Sequence, residues 1–163
     1  MPILDIPGFK REVKSFLYGN RYFVKMAKLD STKLEMLACK VDLPQVDFNP
    51  VDADIGGQVI GIPYKYMPGE LIITFYNTGD EYRRVKEYAF QTYNQESRCY
   101  KYFDDIKMDI TITELDAKGD EVITHKYEDC IIRNISTVSL SYAESNQPEQ
   151  FSVSFNVIRD SSK

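Results

Sequence analysis

Two neighbouring stretches alternate so strictly that half-buried strands are the only economical reading. The first runs Ile135-Ser-Thr-Val-Ser-Leu-Ser-Tyr142, and the second Glu149-Gln-Phe-Ser-Val-Ser-Phe-Asn-Val157, with Ala143 to Pro148 as a turn between them. Side chains alternate sides on a pleated strand, so Val138, Leu140 and Tyr142 share a face. Phe151, Val153, Phe155 and Val157 share the matching face of the second strand, and the pair reads as a hairpin with one apolar side. The opposite side carries Thr137, Ser139, Ser141, Ser152, Ser154 and Asn156, all small, polar and uncharged. A sheet face meant for open water collects Lys and Glu. A hydroxyl face suits a second protein surface or the wall of a shared channel, so it points to assembly rather than chemistry.

The remainder of the chain extends the β pattern. Residues 1–20 read as an arm around a short helix, and residues 21–163 as a single β-barrel domain. Arg21–Leu29 and Leu34–Val41 read as the two strands of a hairpin about the Asp30-Ser31-Thr32 turn. Asp42 to Gly57 reads as a long irregular loop, with Pro44, Pro50, Gly56 and Gly57, four aspartates and no basic residue. Loops of that length are uncommon in compact domains and usually carry function. Val59–Tyr66, broken at Pro63, and Glu70–Tyr76 follow as strands. The period then changes: Tyr82, Val85, Tyr88, Ala89, Thr92 and Tyr93 recur at helical spacing. Thr78 and Glu81 form a capping-box signature, and the helix is expected over Asp80–Gln95. Ile106–Leu115 and Glu121–Ile132 form a second hairpin about Ala117-Lys-Gly-Asp120. The order implies a mainly β fold, an antiparallel sandwich or barrel with one flanking α-helix.

Catalytic sets are missing from this pattern. The 163 residues hold one histidine, His125, in an expected strand, framed by no nucleophile motif, and it reads as a surface residue. No phosphate loop, zinc-protease motif or nucleophile elbow occurs, so no enzyme, cofactor or metal is expected. Asp52-Ala-Asp54-Ile-Gly56-Gly57 begins like a calcium loop but has Gly56 at its fifth position and Pro63 at its twelfth. Cys39, Cys99 and Cys130 are odd in number and scattered, and read as reduced core or strand cysteines. The chain offers no apolar run long enough for a transmembrane helix and no secretory leader pattern. Its formal net charge is −5, which argues against gripping nucleic acid. Tyr64-Lys65-Tyr66 and Tyr100-Lys101-Tyr102-Phe103 mix rings with lysine as single-strand binders do. Tyrosine is equally a favoured strand and interface residue, and 12 Tyr beside no Trp suits broad protein contacts.

One family shares the order of these motifs. Ala38-Cys-Lys-Val-Asp-Leu-Pro44 precedes a long loop, and Leu71-Ile-Ile-Thr-Phe-Tyr-Asn77 precedes the helix. Asp109-Ile-Thr-Ile-Thr-Glu-Leu-Asp116, Tyr127-Glu-Asp-Cys-Ile-Ile132, Leu140-Ser-Tyr142 and Phe151-Ser-Val-Ser-Phe155 complete the series. From about residue 20 onward the chain resembles the tail tube proteins of contractile-tailed bacteriophages, relatives of type VI secretion tubes. The resemblance implies a structural virion protein, assembled in the host cytoplasm. Such proteins form hexameric rings stacked into an inner tail tube, through which DNA passes without specific binding. It implies as partners further copies of itself, a sheath protein, and baseplate or tube-initiator and tail-terminator proteins, with no membrane. It implies an inter-ring role for the long loop, here Leu43, Pro44, Val46, Asp47, Phe48, Asp52 and Asp54. The hydroxyl face would then be a lumen wall or a subunit seam. Two relatives of this reading are a tube-like baseplate component and a type VI-like tube that delivers protein. A monomeric ligand-binding β-barrel is the contrasting alternative.

Overall fold

The structure, a computed structural model, describes residues 21–29, 32–94, 96–138 and 148–162. The expected arm at residues 1–20, and Ser139, Leu140, Ser141 and Tyr142, lie outside the described residues. Strand β1 (Tyr22–Met26) leads into a short helix α1 (Thr32–Met36) and strand β2 (Ala38–Asp42). Strands β3 (Val46–Ile55), β4 (Gln58–Pro68) and β5 (Glu70–Tyr76) precede the main helix α2 (Glu81–Thr92). Two-residue strands β6 (Tyr93–Asn94) and β7 (Cys99–Tyr100) and a helical turn α3 (Phe103–Ile106) lead to β8 (Met108–Leu115). The chain continues through β9 (Glu121–Ile135) and β10 (Gln150–Asn156) to β11 (Arg159–Asp160).

Seven of these strands make one antiparallel sheet in the order β1-β8-β9-β10-β5-β2, with β11 also on β9. The 15-residue β9 serves two partners: residues up to Cys130 pair with β8, and Ile131–Ile135 pair with β10. Asp129, at the changeover, has φ of 56°, a left-handed conformation that turns the strand. Apolar side chains from both halves join one cluster: Val24 and Met26, Ile110 and Ile112, Leu71, Ile73 and Phe75, Phe151, Val153 and Phe155. The sheet therefore wraps its own core. The period-2 reading of β10 holds residue by residue, because Phe151, Val153 and Phe155 are all at most 1% exposed. The Phe75 and Phe151 rings meet at 5.5 Å.

Helix α2 lies against this core through Val85 and Glu81, both buried. Tyr82 meets Phe151 edge-on at 5.5 Å, and the Tyr88 hydroxyl donates to the Ile106 carbonyl at 3.0 Å. Glu81 Oε2 accepts the Thr78 N–H at 3.0 Å, which is the acidic half of the capping box. The helix stops at Thr92, where Tyr93 is extended and starts the small β6–β7 pair.

Three expectations change. Leu34–Val41 is not the second strand of a hairpin with Arg21–Leu29. Residues 32–36 are helical, with Leu34 buried and Glu35 Oε1 accepting the Met26 N–H at 2.9 Å. Only Ala38–Asp42 is a strand, and its partner is β5. The closing hairpin also differs, since Ile135 ends β9 rather than beginning a new strand, with Val153 opposite it. Ser136 then locks the end twice, giving its N–H to Ser152 O and accepting the Ser152 N–H on its hydroxyl, each at 2.8 Å. The third change is the long loop.

Candidate functional site

Asp42 to Gly57 is not irregular. Val46–Ile55 is a ten-residue strand paired along its length with β4, so Val46, Asp47, Phe48, Asp52 and Asp54 sit on a β-ribbon. Only Leu43 and Pro44, with Gln45, form a link. The residues that looked like a failed calcium loop are its tip. Gly56 and Gly57 both have positive φ, 64° and 82°, as a two-residue hairpin turn of this hand requires. Asp54 Oδ1 accepts the Gly57 N–H at 3.1 Å and closes the turn.

The ribbon is a separate two-stranded sheet that leaves the main one in register. Asp42 faces Ile72 in the β2–β5 ladder and Val46 faces Pro68 in the ribbon, so both ladders keep the same offset. Close approach at the junction needs a glycine. A Cβ on Gly69 would lie 2.5 Å from Gln45 O and 2.6 Å from Gln45 N. Farther out, Asn49 pairs with Lys65 but Pro50 pairs with Pro63, leaving Tyr64 as an extra residue. That is a β-bulge, the one mid-ribbon position where prolines cost the ladder little.

Both ribbon strands are solvent-exposed almost throughout, and much of that surface is apolar. Val46 is 59% exposed, Phe48 52%, Ile55 58% and Ile60 46%. Val51, Val59, Ile62 and Tyr66 are exposed too, with Phe48 and Tyr66 rings 5.8 Å apart. Exposed apolar side chains in this number are unusual on a two-stranded ribbon and make it a candidate contact surface. Sequence reading placed Val46 and Phe48 here but missed Val51, Ile55, Ile60, Ile62 and Tyr66. The signal was available: Gly56-Gly57 between two alternating runs is a hairpin signature.

The second surface is the outward face of β2, β5, β10 and the end of β9. Ser152 pairs with Thr74, Ser154 with Ile72 and Asn134, and Asn156 with Glu70 and Ile131. Thr74 Oγ1 and Ser152 Oγ are 2.8 Å apart, a hydroxyl bond across the strands. The charges on this face are paired. Lys40 Nζ meets Asp42 Oδ2 at 2.8 Å, and Arg133 bridges to Glu70 across β10. Among the described residues, two cations and two carboxylates leave the face formally neutral, with Ile72 and Ile131 as apolar spots. Of the six expected wall residues, Ser152, Ser154 and Asn156 lie on this face. Thr137 is exposed but follows β9 outside any strand, and Ser139 and Ser141 lie outside the described residues.

No other region assembles a reaction centre among the described residues. His125 Nε2 is 2.8 Å from Glu114 Oε1, and its ring stacks on Tyr127 at 6.4 Å, so it is half-buried rather than a free surface group. Cys130 is buried, Cys39 is half-buried in β2, and Cys99 is exposed in the short strand β7. Burial, with Asp109 and Asp129 nearby, pushes the Cys130 thiol up to about 12, so it is a poor nucleophile. No group of three or more metal-ligating side chains occurs among the described residues. Open clefts of about 290 and 360 Å³ flank α2, and the inside of the folded sheet is filled by core side chains. No helix among the described residues is long and apolar enough to cross a membrane.

No protein-family model matches the sequence, and no curated protein matches it by sequence. Solved structures match it by shape. A chain in the extended sheath–tube complex of the extracellular contractile injection system PVC matches with TM-score 0.70 at 12% identity, over 95% of this chain and 96% of that one. The tube-terminating cap of the anti-feeding prophage matches with TM-score 0.68 at 10% identity, over 91% of each chain. The SPP1 tail tube matches with TM-score 0.53 at 13% identity, over 89% of this chain and 77% of that one. The chain thus has the fold of tail-tube and contractile-injection tube proteins, mainly antiparallel β with few helices.

Proposed function

We propose that this chain is a structural tube subunit that assembles with copies of itself into stacked hexameric rings, residues 21–163 acting as one tube domain. The observation that carries the reading is the apolar ribbon. A subunit that spends two long strands on surface with no partner of its own is built to be covered. Placing the cover on another copy gives a heterologous contact, which closes into rings or propagates as a filament. The role of Leu43, Pro44, Val46, Asp47, Phe48, Asp52 and Asp54 is then contact between rings.

The hydroxyl face suits the lumen. Its charges are paired and its remaining groups are uncharged, so a polyanion finds no unneutralised cations to release its counterions. We assign it the wall of a conduit for DNA in a contractile phage tail, enclosed by a sheath and closed by initiator and terminator proteins. A second reading, an injection-system tube that delivers protein, is favoured by a TM-score of 0.70 to the PVC complex against 0.53 to the SPP1 tube. A tube-like cap or baseplate component has similar support from the cap match at 0.68. Negative-stain images of the purified protein at high concentration should show rings and stacked tubes. A monodisperse monomer at every concentration and salt tested would overturn the proposal.

A further inference from the structure

Lys86, on α2, has rings for neighbours and no counter-ion. Its Nζ lies 5.9 Å from the centre of the Tyr82 ring and 5.8 Å from that of Phe90, and it meets no carboxylate among the described residues. Arg83, three residues earlier, meets both Asp80 and Glu87, at 3.4 and 3.8 Å. Tyr82, Lys86 and Phe90 follow one another at intervals of four, so they form a single stripe along the helix. The rings steady the ammonium between them, but a cation over a ring is held less strongly than one hydrogen-bonded to a carboxylate.

The stripe is one wall of the open cleft of about 360 Å³ between α2 and the end of β9. Ile132 and Ile135 stand on the β9 side, and Tyr93, with the Tyr100 ring 5.0 Å from its own, closes the end. Two cations and no carboxylate side chain line this cleft. Arg133, the second cation, already bridges to Glu70, so Lys86 is the charge left unmatched. The 290 Å³ cleft on the other flank of α2 differs, because Lys28 and Arg84 there are balanced by Glu81 and Glu87. An ammonium framed by rings is complementary to a carboxylate with an apolar side chain beside it. A small inorganic anion would leave the rings uncovered, and a purely apolar chain would bury the ammonium without a counter-charge.

We propose that this cleft docks an acidic peptide segment of a partner protein, with one carboxylate on Lys86 and an adjacent aromatic or aliphatic side chain between Phe90 and Ile132. The site needs no second copy of this chain and does not depend on the tube reading. Tyr82 packs on Phe151, whose side of β10 is opposite to that of Ser152 and Ser154. A partner in the cleft therefore meets the subunit on the side away from the hydroxyl face.

Fluorescence polarisation on the full chain tests this with two labelled probes, a short peptide alternating aspartate with phenylalanine and its counterpart with lysine in place of aspartate. The acidic probe should bind saturably and the basic probe should not. Lys86→Gln should weaken the acidic probe by about tenfold, the loss of one charge-assisted hydrogen bond, and should flatten its salt dependence. Lys86→Arg, which keeps the charge, should stay within about twofold of the parent, as should Arg84→Gln in the balanced cleft. Lys86 is exposed, so these variants keep the fold, which an unchanged melting midpoint verifies. Absence of saturable binding, equal affinity for the two probes, or a Lys86→Gln variant that binds like the parent would each overturn the proposal. So would Lys86→Arg losing as much as Lys86→Gln, because charge would then not be what the cleft recognises.

Discussion

Replacing Ile60 and Ile62 by threonine should cripple assembly while sparing the fold. Both residues are already 46% and 45% exposed in the single subunit, so the fold gains little from them. Threonine keeps the β-branched shape that strands favour. In an assembled particle the exposed halves become buried. Complete burial of such a side chain stabilises by about 1.5–3 kcal/mol, so the exposed half is worth about 1 kcal/mol. The pair then contributes about 2 kcal/mol per subunit, which corresponds to a roughly 30-fold rise in the concentration needed to assemble. Ultracentrifugal pelleting across a concentration series measures that threshold directly, and thermal unfolding of the unassembled subunit serves as the control. An unchanged threshold would refute the role given to the ribbon. An unfolding midpoint lowered by many degrees would show that these side chains serve the fold instead.

Gly69→Ala should destabilise the subunit by about 2 kcal/mol or more in chemical denaturation, because its Cβ would collide with the Gln45 backbone. Gly61→Ala, whose Cβ meets Pro50 and Asp52 at ordinary distances, should stay within about 0.5 kcal/mol. If the two behave alike, the close approach at the ribbon's root is wrong. Phe151→Ala, which removes a buried ring touching both Phe75 and Tyr82, should cost about 3–5 kcal/mol, read from the denaturation midpoint. Alkaline pH should weaken the fold. Burial raises Cys130 from 9.0 to about 12, and burial with Asp160 nearby raises Tyr127 from 10.0 to about 12. Both are neutral when protonated, so the unfolded chain loses these protons first; stability is intact below pH 9 and declines from there toward pH 12. A melting temperature flat across that range would contradict their burial. Ser154→Lys should leave the subunit folded but make assembled tubes retain DNA in a salt-dependent way. Tubes that retain none would remove this face from the lumen.

The strand pattern was legible wherever burial is one-sided. In β10 and β5 every second residue is buried, and alternation names the core directly. The helix was equally plain, because Tyr82, Val85 and Tyr88 recur at its period and Glu81 marks its start. Alternation fails where neither face belongs to the subunit's own core. In β3 the apolar positions change parity at Pro50, and one proline and three aspartates suggest a loop, yet the backbone pairs throughout. On the proposed tube reading, the environment that makes sense of that pattern is another molecule. Leu34 misled in a different way, since five residues from Thr32 to Met36 are too few to show a helical period. The pairing of Arg133 with Glu70 joins residues on strands that only the fold brings together.

The unbroken offset from β2–β5 into the ribbon has a consequence for the order of folding. The turn at Gly56-Gly57 closes a two-residue loop, and hairpins of this kind form in about 1–10 μs. Zipping from that turn to the ribbon's base brings β2 close to β5, ahead of contacts that need longer loops to close. The ribbon is then expected to be the first ordered element of a new chain and to show the earliest amide protection in pulse-labelled hydrogen exchange. Its apolar side chains are exposed from that moment and, on the proposed tube reading, stay so until a second copy arrives. If the chain is a tube subunit, newly made chains would pass through a window in which growth onto an existing tube competes with aggregation, and the speed of capture would decide the yield.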